Sequence, residues 1–307
     1  MILGSKNRFD ARGSVVMPSE EGFVYPRFNV EMQFSNQRPL SLKLPTQIKL
    51  FYQQFKNFGD EEGPYVKRFG FQYSNIFRWN RMRSFLDIGF RFELFDESEA
   101  FKDQIEQRKF KIHLLQDNRD NPYKPTGGNV LVFKLDSYGG PLGGNRKYTK
   151  LDLDIRQYLS PMKNVTLAGR VNAGIILGWK EAYDQYESIL FEKFYLGGSN
   201  TLRAWRPLHF METTSQTGIK YPLGKTAKVL TNWELRFPLV WKLGAVLFYD
   251  GGYIAKSIET IGKEKIKWNR GVGITFNLPF GPIRIDYANS VDDPSINQFH
   301  FGFLYAF

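Results

Sequence analysis

The sequence predicts an all-β fold, an antiparallel transmembrane β-barrel of about 13 to 16 strands with a long loop folded into its lumen. Three observations predict it: strict two-residue alternation in the C-terminal third, connections that alternate between short and long, and the absence of any apolar run long enough for a membrane helix. A membrane helix needs about 18 to 20 consecutive apolar residues. A barrel strand needs only about 9 to 11, with every second side chain facing lipid, so a barrel keeps a polar average composition. The chain fits that description, with 42% hydrophobic and 16% aromatic residues spread over 307 positions and a negative mean hydropathy.

The alternation is clearest at the end of the chain. Phe299, Phe301, Phe303, Tyr305 and Phe307 occupy every second position and predict a strand running to the last residue. Upstream, Ile283, Ile285 and Tyr287 oppose Arg284, Asp286 and Ala288, and Val272, Ile274, Phe276 and Leu278 oppose Gly271, Gly273, Thr275 and Asn277. Leu243, Ala245, Leu247 and Tyr249 oppose Lys242, Gly244, Val246, Phe248 and Asp250. Trp233, Leu235 and Phe237 oppose Asn232, Glu234 and Arg236. Five strands thus close the sequence. Eight more are predicted near 22–36, 44–58, 64–80, 82–97, 105–117, 128–139, 147–160 and 163–178, with residues 2–16 a candidate for one more. A soluble antiparallel sandwich shares this alternation. The nearly charge-free apolar stripes and the terminal aromatic residue favour the membrane barrel.

The connections supply an orientation. Leu278-Pro279-Phe280-Gly281-Pro282 and Pro238-Leu239-Val240-Trp241 are short, whereas 255–267 and 290–297 are longer and polar. Bacterial barrels place short turns in the periplasm and long loops outside. The longest connection, about 178–228, is of a size that is usually functional.

Composition excludes several chemistries. With no cysteine there is no disulfide, thiolate metal site or cysteine nucleophile. The net charge of +11 comes from scattered residues, so it points to anionic lipid headgroups and not to nucleic acid. His113, His209 and His300 lie far apart and predict no metal site, and Gly224-Lys225-Thr226 lacks the upstream glycine of a phosphate loop. Gly139-Gly140-Pro141-Leu142-Gly143-Gly144 reads as an external turn. No catalytic residue and no cofactor is expected, and the chain is not expected to be an enzyme. Met1-Ile2-Leu3-Gly4-Ser5-Lys6 does not form an export signal, so the sequence reads as a mature or truncated segment of one barrel domain, 1–307, whose first strands are incomplete.

The long loop contains Phe194-Tyr195-Leu196-Gly197-Gly198-Ser199-Asn200-Thr201-Leu202-Arg203-Ala204-Trp205-Arg206-Pro207. This resembles the sixth external loop of the outer-membrane assembly family that includes BamA and TamA, also called the bacterial surface antigen family. There a Gly-Gly pair precedes Val/Leu/Ile-Arg-Gly-Phe/Tyr. Five strands follow the loop here, as in that family. The resemblance extends to Asn232-Trp233-Glu234-Leu235-Arg236-Phe237-Pro238, to Phe248-Tyr249-Asp250-Gly251-Gly252, and to Pro279-Phe280-Gly281-Pro282-Ile283-Arg284-Ile285-Asp286-Tyr287-Ala288. Asp117-Asn118-Arg119-Asp120-Asn121-Pro122 with Pro125-Thr126-Gly127-Gly128 is similar to the family's periplasmic turn three strands before the loop.

Alternation puts Glu234 and Asp250 on the lumen face, so an in-folded loop would let Arg203 form a forked pair with one of them. The resemblance implies Asp250 as that partner, with Glu234 the second candidate. Ala204 stands where the family has glycine, and Trp205 where it has Phe or Tyr. If that glycine serves a positive φ, alanine is strained there and the tip takes another shape. His300, Gly302, Tyr305 and Phe307 resemble the barrel assembly signal, in which glycine permits a bend. Every assembled barrel carries such a signal, so it bears on location and not on activity.

The resemblance implies a bacterial outer-membrane assembly factor that templates incoming strands at a weak seam between its first and last strands. Its implied partners are nascent outer-membrane proteins, outer-membrane lipids and lipopolysaccharide, and periplasmic or lipoprotein accessory subunits. The family's periplasmic POTRA domains are not among these residues. A two-partner-secretion-type transporter, a diffusion pore and an inactive surface remnant stay open as other readings.

Overall fold

Period-two alternation with β-branched and aromatic residues on one face builds extended strands, and the short polar or proline-containing links between them enforce antiparallel pairing. The computed structural model describes residues 7–16, 27–36, 45–55, 66–96, 104–185, 192–214, 220–263, 265–279 and 281–307. Among these the chain forms β1 (Asn7–Val16), β2 (Arg27–Asn36), β3 (Thr46–Phe55), β4 (Val66–Trp79), β5 (Ser84–Asp96), β6 (Gln104–Asp117), β7 (Gly128–Tyr138), β8 (Tyr148–Met162) and β9 (Val165–Leu177). After a two-stranded ribbon, β10 (Glu212–Thr214) and β11 (Lys220–Pro222), come β12 (Ala227–Pro238), β13 (Leu243–Ala255), β14 (Lys267–Leu278), β15 (Gly281–Ser290) and β16 (Asn297–Phe303).

Fourteen of these make one sheet whose order follows the sequence, β1 through β9 and then β12 through β16. Residues 7–16 supply the first strand, within the 2–16 segment that the alternation marks; residues 2–6 and Phe280 of the predicted turn lie outside the described residues. Five strands follow the long loop, as predicted.

The faces sort as the parity predicts. Trp233, Leu247, Val272, Ile274, Ile285, Phe299 and Phe301 are exposed on the outer face, Phe301 by 73%. Their neighbours Asn232, Glu234, Asp250, Asn269, Thr275, Arg284 and Asp286 are buried on the other. Greasy side chains outward and ionic ones inward is the inverse of a water-soluble sandwich, and it suits a wall between lipid and a polar lumen.

The chain divides into two compact units. The first comprises 1–115, 133–151 and 176–192; the second comprises 116–132, 152–175 and 193–307. Inside the first, inward ionic groups pair across strands, Arg68 with Glu93 and Lys111 with Asp87, and Arg91 reaches Glu93 along β5. The second holds the long loop from residue 193 onward and the whole candidate site.

One prediction needs correction. The aromatic alternation continues to Phe307, but β16 ends at Phe303. Leu304 takes φ +67° and its N–H bonds to the Pro282 carbonyl at 2.7 Å. The bend therefore falls at Leu304 and not at Gly302. Beyond it Ala306 and Phe307 are buried, and the Arg236 guanidinium lies 3.9 Å from the Tyr305 ring and 5.5 Å from that of Phe307. Cation–π attraction to a buried arginine draws the last rings off the lipid-facing stripe, which sequence parity alone does not register.

Candidate functional site: an ion-locked loop

The loop tip is a tightly self-bonded turn. Gly197 and Gly198 take φ +109° and +100°. A side chain is disfavoured there, and a methyl on Gly197 would overlap the Arg206 carbonyl. These glycines let Gly198 N–H reach the Trp205 carbonyl at 3.0 Å and Phe210 N–H reach that of Leu196 at 3.0 Å, closing the turn. Thr201 Oγ1 accepts from Gly197 N–H at 3.0 Å. Gly197→Ala is expected to cost about 1 to 2 kcal/mol through its backbone conformation, read as a lower urea midpoint for the full chain refolded in vesicles.

Ala204 corrects the expectation of strain. Among the described residues it is not one of the non-glycine positions with positive φ. It is fully buried against Val246, Phe248 and Ala288, with Trp205 packed on the same cluster. Trp205 is also edge-on to Phe210 at 5.1 Å. Leu202 is completely buried.

Arg203 is likewise completely buried, and three of its nitrogens donate. Nε and Nη2 form a fork on Asp250 at 2.8 and 2.6 Å, and Nη1 donates to Glu234 at 2.6 Å. Asp286 lies at 3.7 Å from Nη1. The guanidinium plane stacks on the Phe248 ring at 3.5 Å. Charge-assisted forks of this kind are the strong hydrogen bonds of a protein interior.

Register explains how the sheet supplies these partners. Asn232, Asp250 and Asn269 are directly opposite one another on β12, β13 and β14. Both asparagine amides donate to Asp250, at 2.9 and 2.8 Å, so its carboxylate receives four donors in all. The next inward row reads Glu234, Phe248, Gly271 and Ala288, and the row beyond it Arg236, Val246, Gly273, Asp286 and His300. The small residues leave a pit in which the loop tip sits.

Arg236 donates to Glu234 at 2.8 Å, and Arg284 to Asp286 at 2.7 Å. Three arginines (203, 236, 284) thus face three carboxylates (234, 250, 286), and the cluster is formally neutral.

The sheet also grips the loop's main chain. Arg170 donates to the Asn200 carbonyl at 2.8 Å, Asn232 to that of Thr201 at 2.7 Å, and Arg284 to that of Ser199 at 3.0 Å. His300 Nε2 lies 2.7 Å from the Arg203 carbonyl, which can only accept, so this nitrogen carries the proton. At the ribbon, Glu212 receives His209 at 2.8 Å and Arg206 at 3.0 Å. Burial opposes its ionisation, but the His209 and Arg206 donors outweigh it and hold the carboxyl below its ordinary range.

Of the residues marked from sequence, the structure brings together Arg203, Asp250, Glu234, Ala204, Trp205, His300 and Tyr305, with Gly197, Gly198 and Leu202 shaping the tip. Gly302 contributes space, since a Cβ there would press on Arg284. Sequence reasoning did not single out Arg236, Arg284, Asp286, Phe248 and the two asparagines. The available signal was parity, which sets all of them on the face of Asp250.

The Omp85 superfamily domain matches residues 25–307. The chain belongs to the Omp85 superfamily. The outer membrane protein assembly factor BamA of Nitratidesulfovibrio vulgaris is 24% identical over 222 residues, which is 69% of the Omp85 chain described here and 27% of that protein. The chloroplastic outer envelope protein 80 of Arabidopsis thaliana is 29% identical over 119 residues, 36% of this chain and 14% of its own length. The Omp85 chain thus spans about a quarter or less of these curated relatives. Among solved structures, BamA from Haemophilus ducreyi lacking POTRA domains 1-3 superposes with a TM-score of 0.67 at 14% identity, covering 90% of this chain and 60% of that one. The fold is therefore the antiparallel outer-membrane β-barrel of this superfamily, and the Omp85 chain is an integral outer-membrane protein.

Proposed function

We propose that this domain is an assembly factor that inserts nascent β-barrel proteins into the outer membrane. The observation that carries the reading is the Arg203 lock on Asp250 and Glu234, which holds a long loop against the inward face where an open diffusion channel would keep water. The kinship to an outer membrane protein assembly factor supports it. So does β16, the last strand in the sheet order, which is seven residues long and loses its continuation at Leu304. A short terminal strand pairs weakly, and an unpaired strand edge templates incoming chain by β-augmentation.

The partners on this reading are nascent outer-membrane proteins, the lipids and lipopolysaccharide around the barrel, and periplasmic or lipoprotein subunits. Depletion of the protein in its host is expected to lower the amounts of other outer-membrane barrels, measured by quantitative proteomics of the membrane fraction. Unchanged amounts, with steady conductance of the protein in planar bilayers, would replace assembly by transport.

A further inference from the structure

The short turns of the second unit have a composition that the ion-locked loop does not explain. In the meander they all lie at the end of the sheet opposite the long loops. The β12–β13 turn presents Leu239, Val240 and Trp241 at 54%, 67% and 79% exposure, followed by exposed Lys242. The β8–β9 turn presents Met162 at 66% exposure beside exposed Lys163, and the β6–β7 turn presents Tyr123 at 52% beside exposed Lys124. Each of these three turns pairs a large apolar side chain with a cation.

Carboxylates are nearly absent from these turns. The one among their described residues is Asp120, and Thr126 occupies it through both its amide and its hydroxyl. The connections of the same unit at the other end carry acids, with Asp292 and Asp293 between β15 and β16, Glu259 between β13 and β14, and Glu212 between β9 and β12. In the first unit, taken by itself, the β4–β5 turn has the same make-up, with Trp79 and Met82 among Arg78, Arg81 and Arg83 and no acid.

The turn geometry is equally unusual. Trp241 adopts φ +54° and Met82 φ +71°, a region that glycine or asparagine fills at lower steric cost. A turn meant only to reverse the chain in water gains nothing from a tryptophan there. Lys242 Nζ sits 5.2 Å from the Trp241 ring centre, so cation and indole form one amphipathic head.

We propose that these turns bind anionic phospholipid headgroups of the periplasmic leaflet, the indole and thioether entering the glycerol region while each lysine meets a phosphate. An aromatic belt alone anchors a barrel at the interface without regard to headgroup charge. The acid-free cations beside each apolar group add a charge preference, and a lysine near a membrane surface favours anionic lipid by about fivefold.

The test uses the full chain refolded into phosphatidylcholine vesicles that contain a minor fraction of lipid with brominated acyl chains. The bromines are carried either on phosphatidylglycerol or on phosphatidylcholine. Bromine quenches indole only at close range, and subtracting the Trp241→Phe variant isolates position 241 from the other five of six tryptophans. The brominated phosphatidylglycerol is expected to quench Trp241 several-fold more at equal mole fraction. Lys163→Gln with Lys242→Gln, both exposed positions, is expected to bring the two lipids level while the folded band on unheated gels stays unchanged. Equal quenching by both lipids in the parent would overturn the proposal, as would a preference that survives the double substitution. Absence of quenching by either lipid would also overturn it, assigning the turns to a protein partner or to water.

Discussion

Arg203→Ala is expected to destabilise the folded barrel by about 3 to 5 kcal/mol, the usual consequence of removing one member of a buried ion cluster. The size follows from what is left behind. Asp250 and Glu234 are almost wholly buried, and without the guanidinium they face each other with Asp286 nearby and only Arg236 and Arg284 to balance three negative charges. Phe248 also loses the cation stacked on it. The measurement is the urea midpoint of the full chain refolded in vesicles, together with chymotrypsin cleavage after Trp205, which packs on the Val246 and Phe248 cluster in the parent, as a reporter of loop release. Arg203→Lys should recover little, because an ammonium cannot make the fork to Asp250 and reach Glu234 together. Adding Asp250→Asn and Glu234→Gln to Arg203→Ala should return part of the loss, since the three positions form one network. A parent-like midpoint and an uncut loop in Arg203→Ala would refute the lock.

That network marks how far the sequence is legible. Strand positions and faces followed from period two because each strand has one neighbour in lipid and one in a polar interior, a contrast the residues state directly. The carboxylates on β12 and β13 were recoverable for the same reason. Arg236, Arg284 and Asp286 share that parity, yet a charge on an inward face does not by itself tell whether it lines water or touches a loop. The partner is set by register, and register comes from the ladder: Asp250 lies level with Asn232 and Asn269, whereas Asp286 lies level with His300 and Gly273. The chain end misled for a related reason. Tyr305 and Phe307 keep the strand's spacing, and only the position of Arg236 reveals that their rings are drawn inward. At Ala204 the shape of the tip was set by Gly197 and Gly198, several residues earlier, so the local departure from glycine carried no strain.

The glycines of the inward face lead to the second large effect, Gly271→Val, expected to cost about 3 kcal/mol from overpacking and lost cation–π stacking together. Gly271 lies directly opposite Phe248 on one side and Ala288 on the other. Any Cβ there would run into the Phe248 ring and the Tyr287 carbonyl. The ring is the flexible partner, so it gives way, and it is the ring on which the Arg203 guanidinium rests at 3.5 Å. A substitution that touches no charge is thereby transmitted to the ion lock, and chymotrypsin cleavage after Trp205 should rise along with the loss of stability. The causal route is open to a double-mutant cycle. In a Phe248→Ala background the same Gly271→Val change has room and should cost distinctly less, leaving only the conflict with the backbone at Tyr287. If the two losses simply add, Phe248 does not carry the effect from the sheet to the loop, and the pit of small residues is a packing detail independent of the site.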